Sequence, residues 1–157
     1  MTAQARPAIA DTLDECHRHL RYLRDAESRV GWPITAPQME TPADELVAAL
    51  DQFAFRFSRL QDTLGQKAFR TILIGGLREP FEDRPLRDVL DRLEQLRLIP
   101  SAERWEEIRA ARNSLAHDYP DTPAQRAARL NLARPMVGEM AAILDSLTAV
   151  IRPNGRQ

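Results

Sequence analysis

The run Trp105-Glu-Glu-Ile-Arg-Ala-Ala-Arg112-Asn113-Ser-Leu-Ala-His117-Asp118-Tyr119-Pro120 gathers the side chains of this 157-residue sequence that could do chemistry together. Trp105, Ile108, Arg112 and Leu115 follow at intervals of three, four and three, the stride of one helix face, so Arg112 stands where the helix's own period asks for an apolar residue. An unpaired guanidinium buried there would cost several kcal/mol, so Arg112 needs a carboxylate, a phosphate or a polar cleft. Asn113 and His117, four apart, share a neighbouring face, and the long Arg112 side chain can swing toward it. Tyr119 precedes a proline and is pushed out of the α region, so the helix should stop just after His117. That puts His117 in the last turn, where the helix dipole favours its protonated form, with the Tyr119 hydroxyl accessible just beyond. A titrating imidazole beside a fixed cation suits acid–base work at a phosphodiester. The same spacing fits a structural arrangement in which Arg112 pairs with a core-edge acid such as Glu106 or Asp62 and His117 caps carbonyls.

The elements that must carry these groups are helical. Ile9, Leu13, Cys16, Leu20, Leu23 and Val30 step by threes and fours, and Gly31-Trp32-Pro33 ends that helix before a loop with Pro33, Pro37 and Pro42. Thr41 is expected to cap a second helix with Pro42 at its first position, a stripe of Leu46, Leu50, Phe53, Phe57, Leu60 and Leu64, and Gly65 as its C-terminal glycine. A shorter third helix over about 66–77 is weakened by Gly75 and Gly76. Helix four starts near Pro85 and uses Leu86, Val89, Leu90, Leu93 and Leu96. Ser101 caps the helix of Arg112, and Thr122-Pro123 opens a last helix that Pro135 must kink or split. No stretch alternates with period two. Long helices on short loops predict one all-α, antiparallel up-and-down bundle of five to six helices over residues 1–157. Phe55, opposite the Phe53/Phe57 stripe, is either a simple exposed residue or the mark of a second buried face.

Composition narrows the function. A net charge of −1 argues against a broad basic nucleic-acid footprint but leaves room for a small phosphate site. The longest apolar stretch, near Ile72, is too short for a bilayer, and Asp11, Asp14 and Glu15 stand where a signal peptide needs a hydrophobic core, which argues against export. The single cysteine fits a reducing cytoplasm. Cys16, His17 and His19 point in different directions on a helix and read as a core cysteine with solvated histidines, not a metal cluster. Ile74-Gly75-Gly76-Leu77 lacks the strand and spacing of a phosphate loop.

Arg112-Asn-Ser-Leu-Ala-His117-Asp-Tyr119 resembles the R-x4-H motif of the HEPN superfamily, in the R-x4-H-x-Y form of HepT-like toxins. The flanking strings Phe55-Arg-Phe-Ser-Arg-Leu-Gln61-Asp62-Thr-Leu-Gly65 and Leu98-Ile-Pro-Ser-Ala-Glu-Arg-Trp105 extend the resemblance over roughly residues 40–150. It implies a metal-independent endoribonuclease without cofactor, active as a homodimer in which Arg112 and His117 of both protomers line one cleft. His117 would act as acid or base around attack by the ribose 2′-hydroxyl, and Arg112 would stabilise the pentavalent phosphate. RNA rather than DNA would be the substrate, because DNA lacks that hydroxyl. Asn113, Asp118, Arg56, Gln61 and Asp62 would support the site. The resemblance further implies a nucleotidyltransferase antitoxin that attaches AMP to Tyr119, or alternatively a non-catalytic HEPN partner that docks a nucleotidyltransferase or binds nucleotide.

Overall fold

The computed structural model describes residues 5–117 and 121–152. Helical periodicity is realised throughout as an all-α bundle, and no strand occurs among the described residues. Its elements are α1 (Ala5–Ser28), α2 (Ala36–Glu40), α3 (Asp44–Thr63), a π-helical turn (Leu64–Ala68), α4 (Phe69–Thr71), a second π-helical turn (Ile72–Gly76), α5 (Leu86–Gln95), α6 (Ala102–Ala116) and α7 (Pro123–Ile151). Side-chain pairs give the directions. Along α1, residues 15, 19 and 22 meet residues 63, 56 and 52 of α3, numbers running oppositely. Asp62–Arg112 and Gly65–Trp105 set α3 and its continuation against α6, and Arg104–Glu139 and Ser114–Arg129 set α6 against α7, both antiparallel. No helix among the described residues is long and apolar enough to cross a membrane.

The core joins the predicted stripes. Phe53, Phe57, Leu60, Leu64, Phe69, Trp105, Ile108, Val137, Met140 and Leu144 are all buried. Phe69 meets Trp105 edge-on with ring centroids 4.7 Å apart, a geometry the aromatic quadrupoles favour. Cys16 belongs to this core as expected, and its burial pushes the thiol pKa up to about 12, which disfavours the reactive thiolate.

Three local readings need correction. The 33–42 segment is not all loop: Thr35 opens α2, its N–H donating to Gln38 Oε1 at 2.8 Å, and the T-x-x-Q spacing of a capping box outweighs the surrounding prolines. Thr41 therefore closes α2 instead of capping the next helix, whose N-cap is Ala43. Gly65 does not end a helix. Helical backbone runs from Asp44 to Gly76, because the Phe69 N–H reaches back five residues to the Leu64 carbonyl. Of the two outcomes open at Pro135, a split does not occur: α7 is helical from Pro123 to Ile151. The Ser101 cap, donated to by the Arg104 N–H at 2.8 Å, and the Thr122 capping box stand where the sequence puts them.

Gly65 has a different task from a cap. A Cβ built there would lie 3.2 Å from Trp105 Cζ2, and that indole cannot retreat because it is buried against Phe69. Gly138 of α7, by contrast, has nothing within 4 Å of a Cβ. Gly65→Ala is expected to destabilise by about 1–3 kcal/mol through overpacking, while Gly138→Ala stabilises by about 0.5–1 kcal/mol through helix propensity. Urea unfolding of the two variants beside the parent checks both signs.

His19 is not solvated as the sequence suggests. It is buried between α1 and α3, with Arg56 Nη1 donating to Nδ1 at 2.8 Å. Arg56 accepts nothing, so Nδ1 is the lone-pair nitrogen and the ring is neutral with its proton on Nε2. Burial first, and the Arg56 charge second, hold His19 below the ordinary histidine range; Arg59 and Arg18 add to this and Glu15 opposes it. A lowered folded pKa means that the unfolded chain binds the proton more readily. His19 therefore makes stability fall as pH drops below about 6.5 and on through its folded pKa. His19→Gln keeps an acceptor for Arg56, and should flatten the decline in unfolding free energy between pH 7 and pH 5 seen by urea titration at each pH.

Candidate functional site

Arg112 finds the carboxylate its position demands. Its Nε donates to Asp62 Oδ1 at 2.9 Å and its Nη2 to Asp62 Oδ2 at 2.7 Å, a two-point bridge from α6 to α3. Of the two acids open to it in sequence, Asp62 is the partner, while Glu106 lies 3.6 Å from Arg109. The Asp62 hydrogen bonds raise the Arg112 pKa above its already high ordinary value, so the cation is permanent. This bridge uses one edge of the guanidinium, and among the described residues no hydrogen bond engages Nη1.

Helix geometry makes the meeting possible. Val47, Asp51, Phe55 and Asp62 fall at intervals of four, four and seven along α3, one face turned away from the Phe53/Phe57 core. Asp62 lies one turn before Gly65, where the rod of α3 comes closest to Trp105. Around the bridge is a cleft of about 250 Å3 lined by Gln61, Asp62, Gly65, Gln66, Arg109, Arg112 and Asn113, among others. Gln61 is buried in its wall, whereas Asn113 is exposed at its rim.

His117 lies elsewhere. It is not in the last helical turn: α6 ends at Ala116, and His117 is the extended C-cap residue with φ −109° and ψ 140°. The four-residue relation to Asn113 is therefore broken, and His117 instead lines a second cleft of about 420 Å3 with residues of α2, α3 and α7. The carbonyl of Ser114 near this end is met by Arg129 Nη1 at 3.5 Å, and Arg129 Nη2 donates to Asp121 at 2.7 Å. The two clefts follow one another along the seam of α3 and α6. Phe55, 57% exposed, projects from the α3 face between Asp51 of one and Asp62 of the other.

Arg56 is not part of either cleft. It turns to α1, bonded to His19 and lying over the Tyr22 ring with 4.6 Å from guanidinium carbon to centroid. Sequence spacing missed this because α3 has two polar faces, one toward α1 and one toward α6. Asp118 and Tyr119 lie outside the described residues. Sequence reasoning overlooked Arg109 and Gln66 in the first cleft and Asp51, Arg126 and Arg129 in the second; none belongs to a motif, and only the fold assembles them. Among the described residues no group of three or more His, Cys, Asp or Glu is placed to hold a metal ion.

No family model, curated protein or solved structure matches this chain.

The bridge should also matter for stability. Removing Asp62 leaves a half-buried guanidinium unpaired, so Asp62→Ala should cost about 1–3 kcal/mol, whereas Glu106→Ala, at an exposed pair, should change stability by less than about 0.5 kcal/mol. Equilibrium unfolding of both variants distinguishes the acid that holds Arg112 from the one that does not.

Proposed function

We propose that this chain is an endoribonuclease of the HepT-like kind, with a composite site of Arg112 and His117 completed by a second copy. The observation that carries this reading is the disposition of Arg112. A permanent cation is fixed by Asp62 through Nε and Nη2 while Nη1 has no partner among the described residues, at the edge of a polar cleft. Such a group can bind a phosphate oxygen without first giving up its carboxylate, and it arrives preorganised.

Arg112 and His117 of one protomer serve different clefts, so one protomer alone does not converge them on a single phosphorus. A two-fold pairing across the α3/α6 face would cover the exposed Phe55 and bring the imidazole of one copy toward the guanidinium of the other. His117 would take the proton of a ribose 2′-hydroxyl as its oxygen attacks the adjacent phosphorus. Arg112 would stabilise the charge gathering on the equatorial oxygens, and the bond to the 5′-oxygen would break as that oxygen takes up the proton held by His117, leaving a 2′,3′-cyclic phosphate and a 5′-hydroxyl. Asn113, on the rim beside Arg112, would orient the substrate, with Gln61 and Asp62 as its support. On this reading the substrate is RNA, the protein works in the cytoplasm, and a nucleotidyltransferase antitoxin silences it by adding AMP to Tyr119. A bulky anion there would exclude the RNA phosphate sterically and electrostatically.

The same bridge favours one other reading, in which Arg112 merely ties α6 to α3 and the protein is an inactive partner that docks a nucleotidyltransferase. Incubating the purified protein with RNA separates them. Arg112→Ala and His117→Ala should each lower cleavage by about a hundredfold or more while the fold persists by circular dichroism. Undiminished cleavage in both variants, or none in the parent, rejects the ribonuclease reading.

A further inference from the structure

The cleft that His117 lines holds two charges without a counter-charge among the described residues. Its walls are apolar over Met39, Leu50 and Leu130, all buried, and it is bounded by α2, α3, the end of α6 and α7. Its volume of about 420 Å3 falls in the range of small-molecule sites. Arg129 and Asp121 neutralise each other across 2.7 Å. Two other charges are left over. Arg126, on α7, donates from Nη2 to the Met39 carbonyl at 3.1 Å and has no carboxylate within 4 Å among the described residues. Asp51, on α3, has no cation within that distance among the described residues.

An apolar slot with an unneutralised cation on one wall and an unneutralised carboxylate on another narrows the chemistry of its occupant. The cation calls for an anion, and the apolar walls call for a flat ring. A carboxylate beside a ring calls for two adjacent N–H donors, since it can only accept. Among the nucleobases guanine presents that edge, its N1–H next to its exocyclic amine. Adenine and cytosine place a ring acceptor beside the amine, which a carboxylate repels, and uracil sets its one N–H between two carbonyls.

We propose that this cleft is a subsite for a guanosine phosphate, Asp51 accepting from the N1–H and amino group, Leu50 and Leu130 flanking the ring, and Arg126 holding the phosphate. Arg126 and Asp51 are binding residues, with no share in bond breaking. The inference rests on the ribonuclease reading for taking the ring to be a nucleobase and for the source of the nucleotide: if RNA is cleaved at the neighbouring His117, the guanosine is the RNA residue beside the scissile phosphate; otherwise it is a free nucleotide.

The experiment is calorimetric titration of the full-length chain with 3′-GMP, 3′-AMP, 3′-CMP, 3′-UMP and inorganic phosphate, repeated on Asp51→Asn and Arg126→Ala. Both side chains are exposed at the cleft rim, and melting curves verify that the variants fold. 3′-GMP should bind at least about tenfold more tightly than the other ligands. Asp51→Asn should erase that preference while leaving phosphate binding, and Arg126→Ala should weaken all five ligands by about tenfold. Equal binding of the four nucleotides, or a GMP affinity unmoved by both substitutions, overturns the subsite. RNA digestion by the same samples separates the two proposals. GMP binding without RNA cleavage keeps the subsite, as a free-nucleotide site, and rejects the ribonuclease. Cleavage without base preference and without GMP binding does the reverse.

Discussion

The approach of Trp105 to Gly65 sets the distance on which the rest of the site depends. A glycine in the middle of a helical rod lets the indole of α6 lie against the backbone of the neighbouring helix, closer than any side chain at that position would allow. One turn earlier on the rod and two turns later on α6, the same separation leaves just the span that an aspartate and an arginine bridge with two hydrogen bonds. Moved outward by a methyl group, the helices would ask Asp62 and Arg112 to reach farther, and short, directional bonds degrade quickly with distance. The charge chemistry of the cleft is thus set by a packing decision in the core, made by residues that carry no charge.

Electrostatically, α3 works as a two-sided element. Toward α1 it offers Arg56 to a neutral histidine and Thr63 to Glu15, whose carboxylate is held below its usual range mainly by that hydroxyl. Toward α6 it offers Asp62 to a cation. Its apolar stripe faces the core between these, and Phe55 stands exposed on the same face as Asp62. Each side is polar for a different reason, which is why a helical wheel alone misassigns Arg56 to the site.

Much of the fold was legible because it follows from local rules that the core reinforces. The stripes of α1, α3, α5 and α7, the Ser101 and Thr122 caps, and the demand of Arg112 for a partner all follow from spacing and hydrogen-bonding needs. Asp62 was one of two named candidates. What sequence could not supply was the choice between local signals that conflict. Glycine is both a helix terminator and a close-approach residue, and at Gly65 the tertiary contact decided. Proline is both a breaker and a first-turn residue, and at Pro37 the capping box decided. The separation of His117 from Asn113 depended on where α6 unwinds, a matter of one residue that spacing does not resolve. The second cleft left no local trace, since Asp51 and Arg126 are 75 positions apart and meet only after α3 and α7 have packed.

The two π-helical turns after Thr63 have a consequence for what changes in length this chain can accept. A π turn is an α-helix carrying one surplus residue, so losing a residue within Leu64–Ala68 would restore ordinary hydrogen bonding at little local cost. The residues downstream would keep their places on the rod, because the turn already holds one residue more than an α-helix needs. A residue lost from α3 itself, which carries no surplus, would instead turn everything after it by about 100°, taking Phe69 off the indole it supports and Ile72 and Leu73 out of the core. The rod therefore tolerates a change in length at its π turns and nowhere along α3.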